Sequence, residues 1–504
     1  MTEDQYPPSQ FMSITPSELF YRNRQMAGFG NPVQAVVSCV RELVENSLDA
    51  CEDAGVPPVV LVRIDSHENG TVVISVADNG TGVPDEHVAE SFAQVLYGSK
   101  YSFRQKRGSL GLGVTMAVLY SQITTGCPVE VHTSTVPNQG RVYRLLIDIE
   151  KNIPIVESVE SVPRDHPGTT VSLKIKGDLA RSRARLLDYV RLTSVSAPHA
   201  RVQLVVDGVS QGIFGPWVDK IPPPTVPMRP HPRSADPELI RRLVANTSPE
   251  TKLIVFLTQN FQCMSRAISR RFLGFIGIDP SMRVGGMTRS DLLRLSQALR
   301  SYDGFPRPST RFLSPIGKES FLRAVVGSYK CETAYYESER GDWDGNPFVV
   351  EAVGATSSEF QSSDFPLLFR FANRTPLLYD ASEDVLTRAL KRVNWPKYGI
   401  GTDNVNVALF VHVCSSRIPY HAAGKHSIAA VEEIEDAAVS LFRRVGRRLR
   451  IGRPSASDSP KNTRAYREFV RALRLIAHFG AQLGDRPVPD INVLLSRTEA
   501  NEDE

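Results

Sequence analysis

Cysteine is scarce in this chain, with 6 in 504 residues, and none stands in a C-x-x-C pair. Cys39, Cys51, Cys127, Cys263, Cys331 and Cys414 are scattered through apolar segments. A disulfide framework is not indicated, and reduced, mostly buried thiols are expected. Histidine numbers 10, with no H-E-x-x-H and no Cys/His cluster, so nothing points to a structural zinc. No apolar run approaches the roughly 18 residues of a membrane helix, and no membrane partner is expected. Met1-Thr2-Glu3-Asp4-Gln5 has no basic stretch leading into an apolar core, so no secretory signal is expected either. Charge of one sign is not in great excess. The net charge of +4 is mildly basic, compatible with DNA contact without requiring it. What is there, 41% hydrophobic and 23% charged residues, is ordinary for a globular protein. The length suggests roughly two to four domains.

Residues 1–220 mix helical and strand patterns. Asn31 to Ala54 reads as a helix, with Val36, Val37, Val40, Leu43, Val44 and Leu48 at helical period. Val59–Ile64, Val72–Val76 and Gly168–Lys176 read as strands. Thr15-Pro16-Ser17-Glu18 has the form of a capping box. Prolines at 222, 223, 224, 227, 230, 232 and 237 make 221–237 an extended linker. A helical region follows over 238–303, with Thr288 as a cap. From 304 to 484 the pattern is mixed again. Phe348–Val353, Leu367–Phe371 and Val405–Val413 read as strands, and Ile428–Arg450 as a helix with Gly446 as a candidate interruption. Ser455–Lys461 is a break before a further helix, Arg464–Phe479, and 485–504 is a polar tail.

Four elements carry chemistry. On the first long helix, Glu42, Glu45, Asn46 and Asp49 recur every three or four residues and form one polar stripe. A solvated face would explain such a stripe. Against that stand a mid-helix asparagine of poor propensity and the lack of a balancing lysine. A carboxylate at Glu42 can take a proton from water, and the Asn46 amide oxygen can ligate Mg²⁺. Next, a strand runs into Asp78-Asn79-Gly80-Thr81-Gly82. This is either a turn or an aspartate placed to accept from an adenine amino group, with Gly80 and Gly82 admitting the base. Third, glycines 108, 111 and 113 precede an apolar helix from Val114. The stretch Gly108, Ser109, Leu110, Gly111, Leu112, Gly113, Val114 and Thr115 is a candidate phosphate cradle, matching neither a Rossmann nor a Walker A loop. Last, Pro167-Gly168-Thr169-Thr170 opens a strand; it is either an ordinary turn or a place where the Thr169 and Thr170 hydroxyls reach an adenine edge.

In this order the four elements resemble the N, G1, G2 and G3 boxes of the GHKL ATPases, which include the gyrase B protein, MutL repair proteins, a heat-shock chaperone class and sensor histidine kinases. The resemblance implies a Bergerat-fold α/β sandwich binding ATP and Mg²⁺. It makes Glu42 the general base, Asn46 the metal ligand, Asp78 the adenine reader and residues 108–115 the phosphate wrap. Outside the boxes, Phe29 to Val33, Arg41 to Ala50, Val95 to Tyr101 and Gly111 to Gln122 look like the B subunit of DNA topoisomerase VI. So do Phe371-Ala372-Asn373, Pro376 to Asp380, Cys414-Ser415 and Ile418-Pro419-Tyr420. The similarity runs from about Ser13 to Arg450.

That family implies a GHKL domain over 1–220, a helix-two-turns-helix domain over 238–303 and a transducer of ribosomal-protein-S5-like fold over 304–484. By the same resemblance, Lys425 in Gly424-Lys425-His426-Ser427-Ile428 reaches the terminal phosphate, and Ser99 and Lys100 neighbour the phosphates or ribose. A surface lysine would be the bland reading of Lys425. The family's W-K-x-Y motif appears as Trp395-Pro396-Lys397-Tyr398, leaving Lys397 as the candidate for DNA contact. Arg266, Arg270 and Arg271, and Arg443, Arg444, Arg447, Arg448, Arg450 and Arg453, are candidate phosphate-binding sets or solvated helix faces. The expected partners are the topoisomerase VI A subunit, a separate chain joined in an A2B2 heterotetramer, a second copy of this chain on ATP binding, and double-stranded DNA. The expected location is the cytoplasm at the nucleoid, or the nucleus in a eukaryote. A MutL-like repair ATPase and a non-catalytic scaffold resembling the B subunit are the rival readings.

Overall fold

The computed structural model describes residues 14–24, 28–97, 105–107, 112–360, 364–379, 381–401, 406–421, 425–451, 464–484 and 488–489. They fall into two compact units, Met1–Arg447 and Arg448–Glu504. No helix among the described residues is long and apolar enough to cross a membrane. All six cysteines are free.

The first unit opens with α1 (Pro16–Arg22), capped by the Thr15 hydroxyl, which accepts the Glu18 N–H. It continues into α2 (Pro32–Ala54). Local chemistry fixes both ends of α2. The Asn31 side chain accepts the Gln34 N–H at 2.8 Å, Pro32 takes the first turn, and Gly55 closes the helix in the left-handed region at φ 68°. Eight strands follow: β1 (Val59–His67), β2 (Thr71–Ala77), β3 (Val129–Ser134), β4 (Arg141–Asp148), β5 (Ile153–Ser161), β6 (Gly168–Lys176), β7 (Arg201–Val206) and β8 (Val209–Phe214). Their order in the sheet is β5-β4-β3-β6-β2-β1-β7-β8. β1 pairs parallel with β7, and the other neighbours pair antiparallel. Between them lie α3 (Asp85–Ala93), α4 (Gly113–Thr125) and α5 (Leu179–Ser196).

One sheet face is apolar at period two: Val60, Val62 and Ile64 on β1, Val72, Ile74 and Val76 on β2, Val171, Leu173 and Ile175 on β6. It packs with Val40 and Val44 of α2, Val118 and Leu119 of α4, and Tyr189 and Val190 of α5 in one core. The sandwich therefore holds α2 and α4 rigidly beside the strand ends.

After the proline-rich stretch come α6 (Pro237–Ala245), α7 (Leu253–Asn260), α8 (Arg266–Ile276) and α9 (Arg289–Ser301). They close on Phe256, Phe261, Phe272, Leu295, Leu299 and Phe305. Thr288 and Asp291 form a complete capping box on α9. The chain then forms α10 (Lys318–Ser328), β9 (Thr333–Trp343), β10 (Asn346–Thr356), β11 (Leu367–Ala372), β12 (Thr375–Pro376), α11 (Val385–Lys391), β13 (Val407–Ser415) and α12 (Glu432–Ile451). The second sheet has the order β12-β11-β13-β10-β9. β10 and β13 are buried at every position, which is why both read as near-continuous apolar runs.

Two charged-type residues interrupt those runs, Glu351 on β10 and His412 on β13, paired in register and both fully buried. The Arg374 backbone N–H donates to His412 Nε2 at 3.0 Å, so the ring proton sits on Nδ1 and is donated to Glu351 at 2.8 Å. Glu351 also accepts the N–H groups of Ile316 and Gly317 and the Tyr336 hydroxyl, at 2.9, 2.8 and 2.8 Å.

The helix expected from Ile428 begins at Glu432, because Ile428 bridges to Tyr420 and its N–H is held by Asp384. Gly446 does not interrupt it. A Cβ there would lie 2.9 Å from the Tyr398 ring, so the glycine admits a packed aromatic side chain inside a continuous helix. The expected break at Ser455–Lys461 and, of the expected tail over 485–504, all but residues 488–489 lie outside the described residues. In the second unit, α13 (Arg464–Leu483) presents Leu475, Ile476 and Phe479 exposed.

Candidate functional site

Asp78 leaves the end of β2 into a polar niche and is buried. One carboxylate oxygen accepts the Gly80 and Thr169 N–H groups at 3.0 and 3.1 Å, and the other accepts the Ser47 hydroxyl at 2.9 Å. Burial raises its pKa above the usual carboxylate value against the pull of those hydrogen bonds. Ser47 ties this niche to α2, one residue after Asn46. Gly82 lies beyond it at φ 70°, where an added Cβ would sit 2.0 Å from the Ser134 carbonyl oxygen, so only glycine lets the chain pass beneath β3. Gly80 is similarly confined by Ala50. The hydroxyl of Thr170 is engaged by Arg164 at 2.8 Å, and it is Thr169 that backs directly onto Asp78. Arg164 also donates to the Asp78 carbonyl at 2.9 Å.

Farther back along α2, the polar stripe is not a solvated face. Glu42 is 8% exposed and Glu45 4%. Arg41 donates to Glu42 at 2.8 Å and lies 3.8 Å from Glu45. Asn46 is half-buried between them and Ser47. Glu42 faces the start of α4: a Cβ added to Gly113 would lie 1.8 Å from Glu42 Oε2. Leu112 gives that helix no side-chain cap, so its first N–H groups remain available to an anion. Val114 and Thr115 continue the first turn, and the Thr115 hydroxyl donates to the Leu112 carbonyl at 3.0 Å. Gly108, Ser109, Leu110 and Gly111, like Ser99, Lys100 and Gly424, lie outside the described residues.

The base of the glycine-rich stretch is described. Arg107 binds Asp49 at 2.9 Å and Glu52 at 2.6 Å, both on α2. Burial pushes the Glu52 carboxyl up, but Arg107, His199 and Arg374 together outweigh it and hold it well below the usual range. Gln105 donates to the Ser314 carbonyl and accepts its N–H, at 2.9 and 2.7 Å, and Asn373 donates to the Lys106 carbonyl at 3.3 Å. Arg374 reaches Glu52 at 3.5 Å. The second sheet thus grips the segment that enters the glycine loop.

Lys425 arrives from the loop between β13 and α12. Its ammonium lies 3.4 Å from Glu45, buried. His426 Nδ1 lies 3.5 Å from an Arg41 guanidinium nitrogen. The loop's base is fixed by the Ala429 N–H on the Pro419 carbonyl at 2.6 Å and the Ile428 N–H on Asp384 at 2.8 Å. Sequence reasoning missed Arg41, Ser47, Arg164 and Arg107 as parts of the site. Only Arg107 carried a usable signal, since its charge directly precedes the glycine stretch.

The residues suit a Mg²⁺-nucleoside triphosphate. The Glu42 carboxylate, the neutral Asn46 amide one turn along α2, the start of α4 at Gly113 and the buried Lys425 cluster around one stretch of α2, and Ser47 of the same helix holds the buried acceptor Asp78.

Lys397 and Arg266, Arg270 and Arg271 are exposed, as are Arg443, Arg447, Arg448 and Arg450. Trp395 beside Lys397 is fully buried, its indole N–H on the Leu390 carbonyl at 2.9 Å.

Comparison with known proteins is consistent with this arrangement. Residues 32–177 match the model of histidine kinase-, DNA gyrase B- and HSP90-like ATPases. Residues 308–462 match the model of the topoisomerase VI B subunit transducer. The chain is 34% identical over 481 residues to the B subunit of type 2 DNA topoisomerase 6 from Saccharolobus shibatae, covering 94% of this chain and 90% of that one. It is 35% identical over 492 residues to the protein of the same description from Saccharolobus solfataricus, covering 95% and 92%.

Proposed function

Because this chain belongs to the B-subunit family of type 2 DNA topoisomerase 6, we propose that it is the ATP-binding and ATP-hydrolysing component of a type VI DNA topoisomerase. The observation that carries this reading is the meeting of Lys425 with the Glu42–Glu45 face of α2, which joins the matched ATPase and transducer segments at one buried point.

Each residue has a role set by its chemistry. Asp78 accepts from the adenine amino group. The N–H groups at the start of α4 take phosphate oxygens, and the Asn46 amide oxygen is the ligand for Mg²⁺. When bound, the ion supplies charge neutralisation on the phosphates. Glu42 takes the proton from the attacking water, and Arg41 orients its carboxylate. Lys425 neutralises charge on the terminal phosphoryl group as it leaves. Because that lysine belongs to the transducer segment, nucleotide state is felt outside the ATPase sandwich.

ATP-driven pairing of two copies would then trap a DNA segment. The separate A subunit would cut and rejoin the second duplex, and hydrolysis would reset the gate. The reaction is double-strand passage, relaxing positive and negative supercoils and decatenating DNA. Lys397 and the exposed arginines of α8 and α12 are the proposed DNA or partner contacts. The site of action is the nucleoid if the source is archaeal or bacterial. A MutL-like role is disfavoured by the transducer match over 308–462, and a scaffold role by the retention of Glu42, Asn46, Asp78 and Lys425. Sedimentation velocity checks the gate: a non-hydrolysable ATP analogue with Mg²⁺ is expected to convert monomer to dimer, and ADP is not. A chain that remains monomeric with the analogue bound would rule out the gate.

A further inference from the structure

Four buried charges meet where the loop carrying Lys425 touches α2. Arg41, Glu42, Glu45 and Lys425 are 4%, 8%, 4% and 7% exposed. The pairing is specific: Arg41 donates to Glu42 at 2.8 Å, and Lys425 lies 3.4 Å from Glu45. Two cations and two anions cancel. Glu45 is not part of the chemistry assigned above, yet it is the carboxylate that holds Lys425. The lysine is held at some conformational cost, since its backbone lies in the left-handed region at φ 52°, sparsely populated by residues other than glycine. Lys425 stays charged there. Burial pulls its pKa down, but Glu45 and Glu42 outweigh that and lift it above the usual lysine range. Burial also lifts the Glu45 carboxyl against Lys425. We take Glu45 as ionised, because Arg41 at 3.8 Å and Lys425 at 3.4 Å flank it.

We propose that Glu45 is a positioning residue that parks Lys425 on α2 until the third phosphate of a nucleotide competes for it, so that the Glu45–Lys425 pair limits the preference for nucleoside triphosphate over diphosphate. The inference rests on the nucleotide-site reading above. Its physics is competition. A triphosphate must draw Lys425 off Glu45, and its apparent affinity is reduced by the fraction of molecules in which the lysine is free to move. A diphosphate lacks the third phosphate that Lys425 would meet and does not bear that cost. Glu45 therefore weakens triphosphate binding, and it also keeps the cation from drawing in other anions.

The test is calorimetric binding of Mg²⁺-AMP-PNP and of ADP to the full chain. In Glu45→Gln the preference for the triphosphate analogue over ADP is expected to widen roughly tenfold, with ADP affinity little changed. The Glu45→Asp variant keeps the charge and shortens its reach, and is expected to widen the preference less; it carries the test if Glu45→Gln does not fold. In a Lys425→Met background neither Glu45 change should alter the preference. A preference unchanged in both Glu45 variants overturns the inference, as does a widening that persists without Lys425. Failure of the wild type to bind either nucleotide would instead overturn the site reading itself, and this inference with it.

Discussion

Glu42→Ala is expected to lower ATP turnover by about 10²–10⁴-fold, the range that general-base catalysis supplies, while the chain still binds ATP. The reason is positional. Glu42 is buried, oriented by Arg41 at 2.8 Å, and aimed at the start of α4, where no side chain can stand between it and a phosphate. Asp78, the proposed adenine acceptor, is held by Ser47, Gly80 and Thr169 rather than by Glu42, so binding is expected to survive. Gly113→Ala tests the same geometry without removing the base. Its methyl would fall 1.8 Å from Glu42 Oε2 and must push the carboxylate aside. Misplacement on that scale is expected to cost on the order of 10²-fold in kcat. Steady-state hydrolysis and equilibrium analogue binding measure both variants. Turnover within a few-fold of wild type in Glu42→Ala would remove Glu42 from the mechanism.

Glu351→Ala is expected to destabilise the fold by about 3–5 kcal/mol, since several buried donors lose their acceptor at about 1–3 kcal/mol each and the site relaxes only in part. Ile316 N–H, Gly317 N–H, Tyr336 O–H and His412 Nδ1–H would all lose their acceptor inside the second sheet. Denaturant unfolding reads the loss, and a shift under about 1 kcal/mol would show that the network contributes little.

The same network sets an acid limit. Burial holds His412 below the usual histidine value, against the pull of Glu351. The unfolded chain therefore takes up a proton as pH falls through about 6.5, while the folded chain resists it, and stability declines below that pH. Burial pushes the Glu351 carboxyl up, but His412, Tyr336 and the Gly317 N–H together outweigh it and hold it below the usual carboxylate value. Its contribution is present above about pH 4.3 and is lost as pH falls through its lower folded value. His199 and His231, also depressed by burial, act in the same direction as His412.

Those networks also explain what the sequence could and could not convey. α2 is legible because its apolar period, its asparagine cap, Pro32 and Gly55 all agree. β1, β2, β6, β10 and β13 are legible because burial makes them apolar at period two or continuously. β5 is not. It is an edge strand with Ile153, Ile155, Val156 and Val159 exposed, so no alternation survives in it. Gly446 looks like a break because propensity is local, while its reason, the Tyr398 ring, is not. The polar stripe on α2 stands out in the sequence as unusual but not as buried. A search for a balancing charge within the helix cannot find Lys425, 380 residues from Glu45, or Arg107. Thr170 and Thr169 are both hydrogen-bonding threonines at a strand start, and only the pairing of β6 with β2 and the contact with Asp78 tell them apart.

On the proposed function, this chain couples ATP hydrolysis to strand passage performed with an A-type partner. The direct measurement is relaxation of supercoiled plasmid by this chain mixed with the topoisomerase VI A subunit of the same organism, with ATP, without ATP, and with Glu42→Ala in place of the wild type. ATP-dependent relaxation by the wild type, sharply reduced in the variant, is the expected result. A folded, ATP-binding pair that relaxes nothing, or that relaxes equally without ATP, would contradict the account.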